Sequence, residues 1–329
     1  PQDGKISFKQ YGKQDIELRV ATLPTAGGLE DVVMRILAKN NNIPINALGL
    51  SKENQNNLLK IISQPYGLFL VCGPTGSGKT TTLHSALGEL NNAERKIWTA
   101  EDPVEITQAG LRQVQVNTKA GLTFATALRA FLRADPDVIM IGEMRDAETA
   151  AMGIESSLTG HLVLSTLHTN TAPESVVRLL DMGMDPFNFG DALLGVLAQR
   201  LVKTLCASCK TPYIADDQEV PILATEYCRE LMPTGSGEAT MGEVVEKPIA
   251  AWNGRFANQH GQLTLYKAKG CEQCSGTGYR GRVGLHELLV ASREIKHLIV
   301  ERAKTPVIQA KALEQGMRTL KQDGINKVL

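Results

Sequence analysis

The sequence predicts an α/β protein built on a mostly parallel sheet wound with helices. Two observations carry that expectation. Gly73–Thr80 matches G-x-x-x-x-G-K-[ST] and lies between an apolar run, Leu68 to Cys72, and a helix-competent run, Thr81 to Leu90. That context, strand then glycine loop then helix, is what a phosphate-cradling P-loop requires. Short apolar segments then alternate with helical ones, the pattern of a parallel sheet covered on both faces. A third observation adds a smaller element. Two C-x-x-C pairs, Cys206/Cys209 and Cys271/Cys274, lie in the second half of the chain.

At 329 residues there is room for two or three domains. Apolar residues make up 43% and aromatics 5%, which suits an aliphatic α/β core. Lys+Arg and Asp+Glu are both 35, so the formal charge is zero and neither nucleic acid nor an anionic membrane is called for as the main partner. No apolar run approaches the roughly 18 residues of a membrane span. The polar start, Pro1-Gln2-Asp3-Gly4-Lys5, carries no signal peptide. A chain of this kind that needs ATP is expected in the cytoplasm, where C-x-x-C pairs suggest metal rather than disulfides.

The elements follow in order. Ile16 to Val20 alternates like a strand, and Leu29 to Ala38 reads as a strand or a short helix. Asn40 to Pro44 reads as a linker. Residues 1–48 hold too few apolar groups for a core of their own, so the chain is expected to begin inside a domain and to be truncated at both ends. Residues 49–203 form the nucleotide domain. Ser51 can cap a helix from Lys52 to Ser63, and Pro65-Tyr66-Gly67 ends it. Strands are expected at Leu68–Cys72, Lys96–Ala100, Val114–Val116, Val138–Ile141 and Leu162–Leu167. Helices are expected at Thr123–Ala134 and from the cap Asp146 to Leu158. Residues 204–282 carry the cysteine pairs around a weakly periodic stretch, Asp216 to Gly261, expected to be partly mobile. Residues 283–329 read as helices, Ser292–Arg302 and Pro306–Gln315.

Chemistry concentrates at the expected strand ends. In the loop Gly73, Pro74, Thr75, Gly76, Ser77, Gly78, Lys79, Thr80 and Thr81, backbone N–H groups and the helix N-terminus face phosphate. Lys79 can reach the β- and γ-phosphates, and the Thr80 hydroxyl can bind Mg²⁺. The strand Val138–Ile141 leads into Gly142-Glu143. Glu143 can support Mg²⁺ directly or through water, although Gly142 stands where an aspartate is usual. Glu101-Asp102-Pro103-Val104-Glu105 puts three carboxylates after a strand. Such a group can orient the attacking water, and a solvated turn is an equal reading of the spacing. His161 and His168 bracket a strand and could hydrogen-bond a γ-phosphate or serve structure alone. Arg129 and Arg133, four apart, are expected on one helix face, with Arg145 just after Glu143. Arg19 and Arg35 come from the first segment. Such arginines can act across subunit interfaces in ring NTPases.

Cys206, Cys209, Cys271 and Cys274 fit a closed tetrahedral Zn²⁺ site of structural type. The 61 residues between the pairs exceed the usual spacer, but loop closure grows only logarithmically with length. Four reduced, metal-free thiols are the alternative. Cys72 and Cys228 lack such partners and read as bystanders.

Together these segments resemble the GspE/PilB family, the ATPases of type II secretion and type IV pilus extension. Leu18-Arg19-Val20 and Val33–Leu37 look like the second half of that family's N2 domain. Gly73–Thr80 looks like its Walker A box, Glu101–Glu105 its Asp box, Asp135–Asp146 its Walker B region with the family's usual Gly-Glu, and Thr159–Asn170 its His box. The four cysteines match its zinc subdomain, and Gly316–Leu320 its C-terminal helices. The resemblance implies a RecA-like P-loop ATPase domain with a partial, PAS-like N2 domain, a tetracysteine subdomain and C-terminal helices. It implies ATP, Mg²⁺ and Zn²⁺ as cofactors. It also implies a homohexameric ring that drives a platform protein feeding pilin-like subunits into a fibre. The chain would then sit peripherally at the inner membrane through platform and adaptor proteins. On that footing Glu101 activates water, Glu143 supports Mg²⁺, Lys79, His168 and Arg145 assist, and Arg19 and Arg35 reach phosphate. Retraction ATPases generally lack the tetracysteine element, so its presence argues for assembly. A nucleic-acid translocase and a non-hydrolysing nucleotide-binding module are the competing classes. The first would need a basic groove or stacking aromatics.

Overall fold

The computed structural model describes residues 2–12, 16–37, 43–216, 218–229 and 238–329. Asn40 to Asn42, most of the expected linker, lie outside the described residues. The chain opens with β1 (Gln2–Ser7), β2 (Glu17–Pro24) and β3 (Glu30–Leu37), an antiparallel sheet in sequence order. The run Glu30–Leu37 is therefore a strand and not a helix. Its β-branched residues Val32, Val33 and Ile36 suit a pleated surface, and it finds a partner in β2. Alternation puts Leu18, Val20, Met34 and Ile36 on one face and Arg19 and Arg35 on the other.

Next come α1 (Lys52–Ile62), whose first turn is capped by Ser51 accepting from the Asn54 N–H, β4 (Gly67–Cys72) and α2 (Lys79–Leu90). The alternation continues with β5 (Ile97–Glu101), β6 (Arg112–Gln115), α3 (Phe124–Phe131), β7 (Val138–Ile141), α4 (Ala147–Leu158) and β8 (Leu162–Leu167). After α5 (Ala172–Asp181) and α6 (Pro186–Ala192) comes a long strand, β9 (Leu193–Leu205). β10 (Thr211–Ile214), α7 (Glu219–Cys228), α8 (Glu238–Phe256) and β11 (Thr264–Lys267) form an outlying lobe. The chain returns through β12 (Tyr279–Val290) and ends in α9 (Arg293–Val300), α10 (Thr305–Glu314) and α11 (Leu320–Val328).

Seven strands make the central sheet in the order β12-β9-β4-β8-β7-β5-β6. All neighbours are parallel except β9 and β12. Both faces are covered. Leu68, Leu70, Ile139 and Val163 point into one core, with Leu128, Ile154, Val176, Ile295 and Ile308 from the helices. Phe69, Val71, Met140 and Leu164 point into the other, against Leu58 and Ile62 of α1 and Leu83 and Leu87 of α2. That two-sided burial is why these strands read as unbroken apolar runs.

The structure departs from the expected elements in places. Residues 283–290, expected within a helical region, belong to a strand, because β12 pairs with β9 from Leu205 to Gly195. The stretch Asp216–Gly261 contains α7 and α8, which pack Ala224, Cys228, Val245 and Trp252 against Ile325 of α11. The helix after Thr123 ends at Phe131, so Arg133 lies beyond it and does not share a helical face with Arg129. Residues 203 and 204 lie in β9, and residues 282 and 283 in β12. Among the described residues no helix is long and apolar enough to cross a membrane.

Candidate active site

The carboxyl ends of β4, β8, β7 and β5 lie side by side along one edge of the parallel sheet, where an α/β fold presents its binding groups. From them come the glycine loop, His168, Glu143 and Glu101 in that spatial order. They open onto one cavity of about 570 Å³.

The loop is held from behind by β9. Gln199 donates from Nε2 to the Ser77 carbonyl at 2.8 Å and accepts from the Thr82 hydroxyl at 2.6 Å. This approach explains two of the glycines. At Gly73, with φ 148°, a Cβ would stand 2.3 Å from the Gln199 carbonyl oxygen. At Gly78, with φ 91°, it would stand 2.8 Å from Gln199 Nε2. No other residue fits either place. Thr75, Gly76, Gly78, Lys79, Thr80 and Thr81 line the cavity. Gly73, Pro74 and Ser77 form the inner turn, with the Ser77 N–H donating to the Pro74 carbonyl. Lys79 Nζ donates to the carbonyls of Gly73 at 2.8 Å and Pro74 at 3.1 Å. Burial holds its ammonium below the usual lysine range.

Glu101 is 3% exposed and takes three hydrogen bonds. Thr99 Oγ1 donates at 2.7 Å and Gln113 Nε2 at 3.0 Å to Oε1, and His84 Nε2 lies 3.2 Å from Oε2. Burial pushes the carboxyl up, but the bonds from His84, Gln113 and Thr99 outweigh it and hold Glu101 below the usual carboxylate range. Glu143, also buried, places Oε1 2.5 Å from Arg145 Nη2 and Oε2 3.3 Å from His168 Nε2. The turn that carries it is stitched to β8: Ser165 Oγ donates to the Ile141 carbonyl and Thr166 Oγ1 to the Gly142 carbonyl. Hydrogen bonding to Glu143 raises the Arg145 guanidinium.

The opposite wall comes from the N-terminal sheet. Arg19 and Arg35 are directly opposed across β2 and β3, and both line the cavity. The remaining expected residues are elsewhere. Arg129 pairs with Glu148 of α4 at 2.5 Å in solvent, and Arg133 is exposed; neither lines the cavity. His161 Nδ1 turns to the Ser156 carbonyl at 2.9 Å, a local tie at the end of α4. Four participants were not anticipated: His84, Gln199, Phe124 and Arg282. The first two act from inside apolar segments. Arg282 lines the cavity from β12, a strand that the sequence did not reveal.

The family described as Type II/IV secretion system protein matches residues 1–329. The chain belongs to this family. Among curated relatives of the family, the type II secretion system ATPase E of Vibrio cholerae serotype O1 is 44% identical over all of this chain and 58% of its own length. The type IV pilus assembly ATPase PilB of Thermus thermophilus is 45% identical over all of this chain and 34% of its own. The chain thus spans about half the length, or less, of these relatives. Among solved structures, the pilus retraction motor PilT with bound ADP superposes at a TM-score of 0.60 with 26% identity, covering 98% of this chain and 76% of that one. The ATPase DotB of Legionella pneumophila superposes at 0.64 with 21% identity, covering 99% and 73%, which speaks to the fold alone.

In this type II/IV secretion system protein the cysteine pairs meet at the open end of the β9–β12 ladder, whose last register pair is Leu205 with Tyr279. The four sulfurs lie within 4.8 Å of one another. Cys206–Cys271 is 3.9 Å, Cys209–Cys274 3.8 Å and Cys271–Cys274 3.7 Å, far too long for disulfides. Tetrahedral Zn–S bonds of about 2.3 Å would put sulfurs about 3.8 Å apart, so the donor set fits a tetrathiolate metal. Backbone N–H groups of Cys271 and Gly278 donate to Cys274 Sγ, each at 3.2 Å, as they would to a thiolate ligand. Cys72 and Cys228 are buried single thiols; burial pushes Cys72 up to about 11.

Proposed function

We propose that this chain is the ATP-hydrolysing part of a type II secretion or type IV pilus assembly machine. One observation carries the reading: a single cavity gathers the P-loop, acids from two strand ends and two arginines of the N-terminal sheet. Loop N–H groups and Lys79 hold the β- and γ-phosphates. Thr80 and Glu143 would hold Mg²⁺, which neutralises phosphate charge. Glu101 orients and deprotonates the attacking water. His168 and Arg145 fix Glu143, and Arg19 and Arg35 bind phosphate from the opposite wall. Thr75, Gly76, Gly78 and Thr81 complete the nucleotide contacts, with Gly73, Pro74 and Ser77 shaping the turn.

The reading extends to the assembly. Chains form a homohexameric ring in the cytoplasm, docked at the inner membrane through platform and adaptor proteins. Nucleotide sets the angle between the N-terminal sheet and the ATPase core, and hydrolysis around the ring moves the platform. The four cysteines hold Zn²⁺ in a structural role. Neither nucleic acid nor a membrane span of its own is part of this scheme.

Phosphate release from MgATP by the purified protein, compared with its Lys79→Ala variant, tests the activity. We predict at least a hundredfold loss in a variant that melts at the wild-type temperature, because Lys79 meets charge that grows in the transition state. Equal rates in the two proteins would refute the assignment. Copurification of an inner-membrane protein with the full-length chain tests the partner class.

A further inference from the structure

His84 stands directly behind Glu101 and plays no part in the scheme above. It lies on α2 among Leu83, Ala86 and Leu87 and is 1% exposed. An imidazole in such a place needs partners, and it has two. Nδ1 is 3.2 Å from Gln108 Oε1, and Nε2 is 3.2 Å from Glu101 Oε2. The network continues through Gln113, which donates from Nε2 to Glu101 and to the Ile106 carbonyl at 2.7 Å and accepts the Gln108 N–H at 2.8 Å. Glu101 is therefore gripped from α2, from β5 itself and from the segment leading through β6.

The geometry restricts where a water can bind. A carboxylate offers about four acceptor positions, two on each oxygen. On Glu101 the hydroxyl of Thr99 and the amide of Gln113 fill both positions of Oε1. With its proton on Nε2 and the Gln108 amide turned to donate to Nδ1, neutral His84 fills one on Oε2. The position left over is on Oε2, beside the imidazole. A carboxylate that must aim one lone pair at a water cannot be left to sample rotamers, since misplacement by an ångström is costly in rate.

We propose that His84 is a positioning residue for ATP hydrolysis, which fixes Oε2 of Glu101 so that its one open acceptor direction receives the attacking water. This rests on the assignment of Glu101 as the water-activating group. The groups packed around the pair are few in kind. α2 supplies His84, β5 supplies Glu101 and Thr99, and the segment from Ile106 to Gln113 supplies amides.

The test compares wild type, His84→Gln, His84→Leu and Glu101→Gln in the full chain. It reads kcat for MgATP, the Kd of a fluorescent ATP analogue, and the melting temperature. His84→Leu should lose tenfold or more in kcat with little change in Kd. His84→Gln keeps an N–H near the ε position, so it should recover most of the rate that His84→Leu loses, which a space-filling role alone would not give. Should the leucine variant fail to fold, His84→Asn, whose amide does not reach the ε position, takes its place, and a wild-type kcat in that folded variant overturns the proposal. If Glu101→Gln is slow while a folded His84→Leu keeps the wild-type kcat, the proposal falls and the role of Glu101 stands. If Glu101→Gln turns over at the wild-type rate, that role is wrong and the proposal falls with it.

Discussion

At the scale of single residues, the site divides by how each side chain announces itself. Lys79 and Glu143 follow a glycine loop and an apolar strand, so their spacing singled them out, whereas for His168 spacing left a structural role open and the family resemblance pointed to the site. Gln199 gave no such signal. It sits in the apolar strand β9, and only the pairing of β9 with β4 brings it behind the P-loop, 122 residues from Ser77 in sequence. We predict that Gln199→Leu weakens nucleotide binding severalfold and lowers stability by about 1–3 kcal/mol, since Ser77 and Thr82 lose a buried partner. Titration with a fluorescent nucleotide and denaturant melts check both. His286 on β12 is the opposite case, a buried imidazole. Among the described residues neither ring nitrogen has a hydrogen bond, and burial, aided by Lys327, pushes the imidazole down to about 3. The folded value lies below the unfolded one, near 6.5, so the unfolded chain takes up the proton first. This residue therefore costs little above pH 6.5 and progressively more as the pH falls toward 3. Between pH 7 and pH 5, His286→Leu should gain about 2 kcal/mol of stability relative to wild type. Denaturation curves of both proteins at the two pH values measure it, and parallel losses would show that His286 is not responsible.

At the scale of elements, legibility followed periodicity. Fully buried strands such as β7 and β8, and helices with a clear cap such as Ser51 or Asp146, stood out in the sequence and formed where expected. β12 did not, because Arg280, Arg282 and Glu287 interrupt its apolar pattern. The reasons are visible only in three dimensions. Arg282 turns to the cavity, while Glu287 accepts the N–H of Ala172 at 2.8 Å and that of Leu320 at 3.3 Å, so it caps both α5 and α11. The helices α7 and α8 escaped for a related reason. Their apolar residues are spent on a local cluster with Trp252 and on Ile325 of α11, without a clean stripe. The cysteine knuckles sit where the lobe leaves β9 and returns to β12, while α7 is also tied to α11. We predict about one zinc per chain in protein purified without added metal, and a lower melting temperature with metal loss in Cys206→Ser. Nucleotide affinity should persist in that variant. Gln199 is seven residues upstream of Cys206 and is held by the β9–β12 ladder, whatever happens to the knuckle. Elemental analysis and nucleotide titration decide; a metal-free but fully stable wild type would remove zinc from the account.

At the scale of the whole molecule, the question is why the candidate nucleotide cavity is lined from two separate sheets. The three-stranded sheet leaves Leu29, Val33, Met34 and Ile36 exposed, so it is not self-sufficient as a folded unit. Yet it supplies Arg19 and Arg35 to a cavity whose floor is the seven-stranded sheet. A nucleotide bound there would bridge the two bodies, and its loss would free them to rotate, which is a hinge-type switch. Arg145 has a side chain 66% exposed although it grips Glu143, so the acid that would support Mg²⁺ is tied to a group at the surface. A neighbouring subunit in a closed ring could move that surface group and so alter the site. We predict ATPase activity that rises with protein concentration as rings form. We also predict that Lys79→Ala chains mixed with wild-type chains depress the rate per wild-type subunit more than dilution would. The measurement is phosphate release across mixing ratios, with ring formation followed by light scattering. In independent sites the rate per wild-type subunit is flat in the mixing ratio. A coupled ring instead gives a curve that falls faster than the wild-type fraction, because one subunit that cannot hydrolyse leaves its hinge in place and holds the surface its neighbour needs to move.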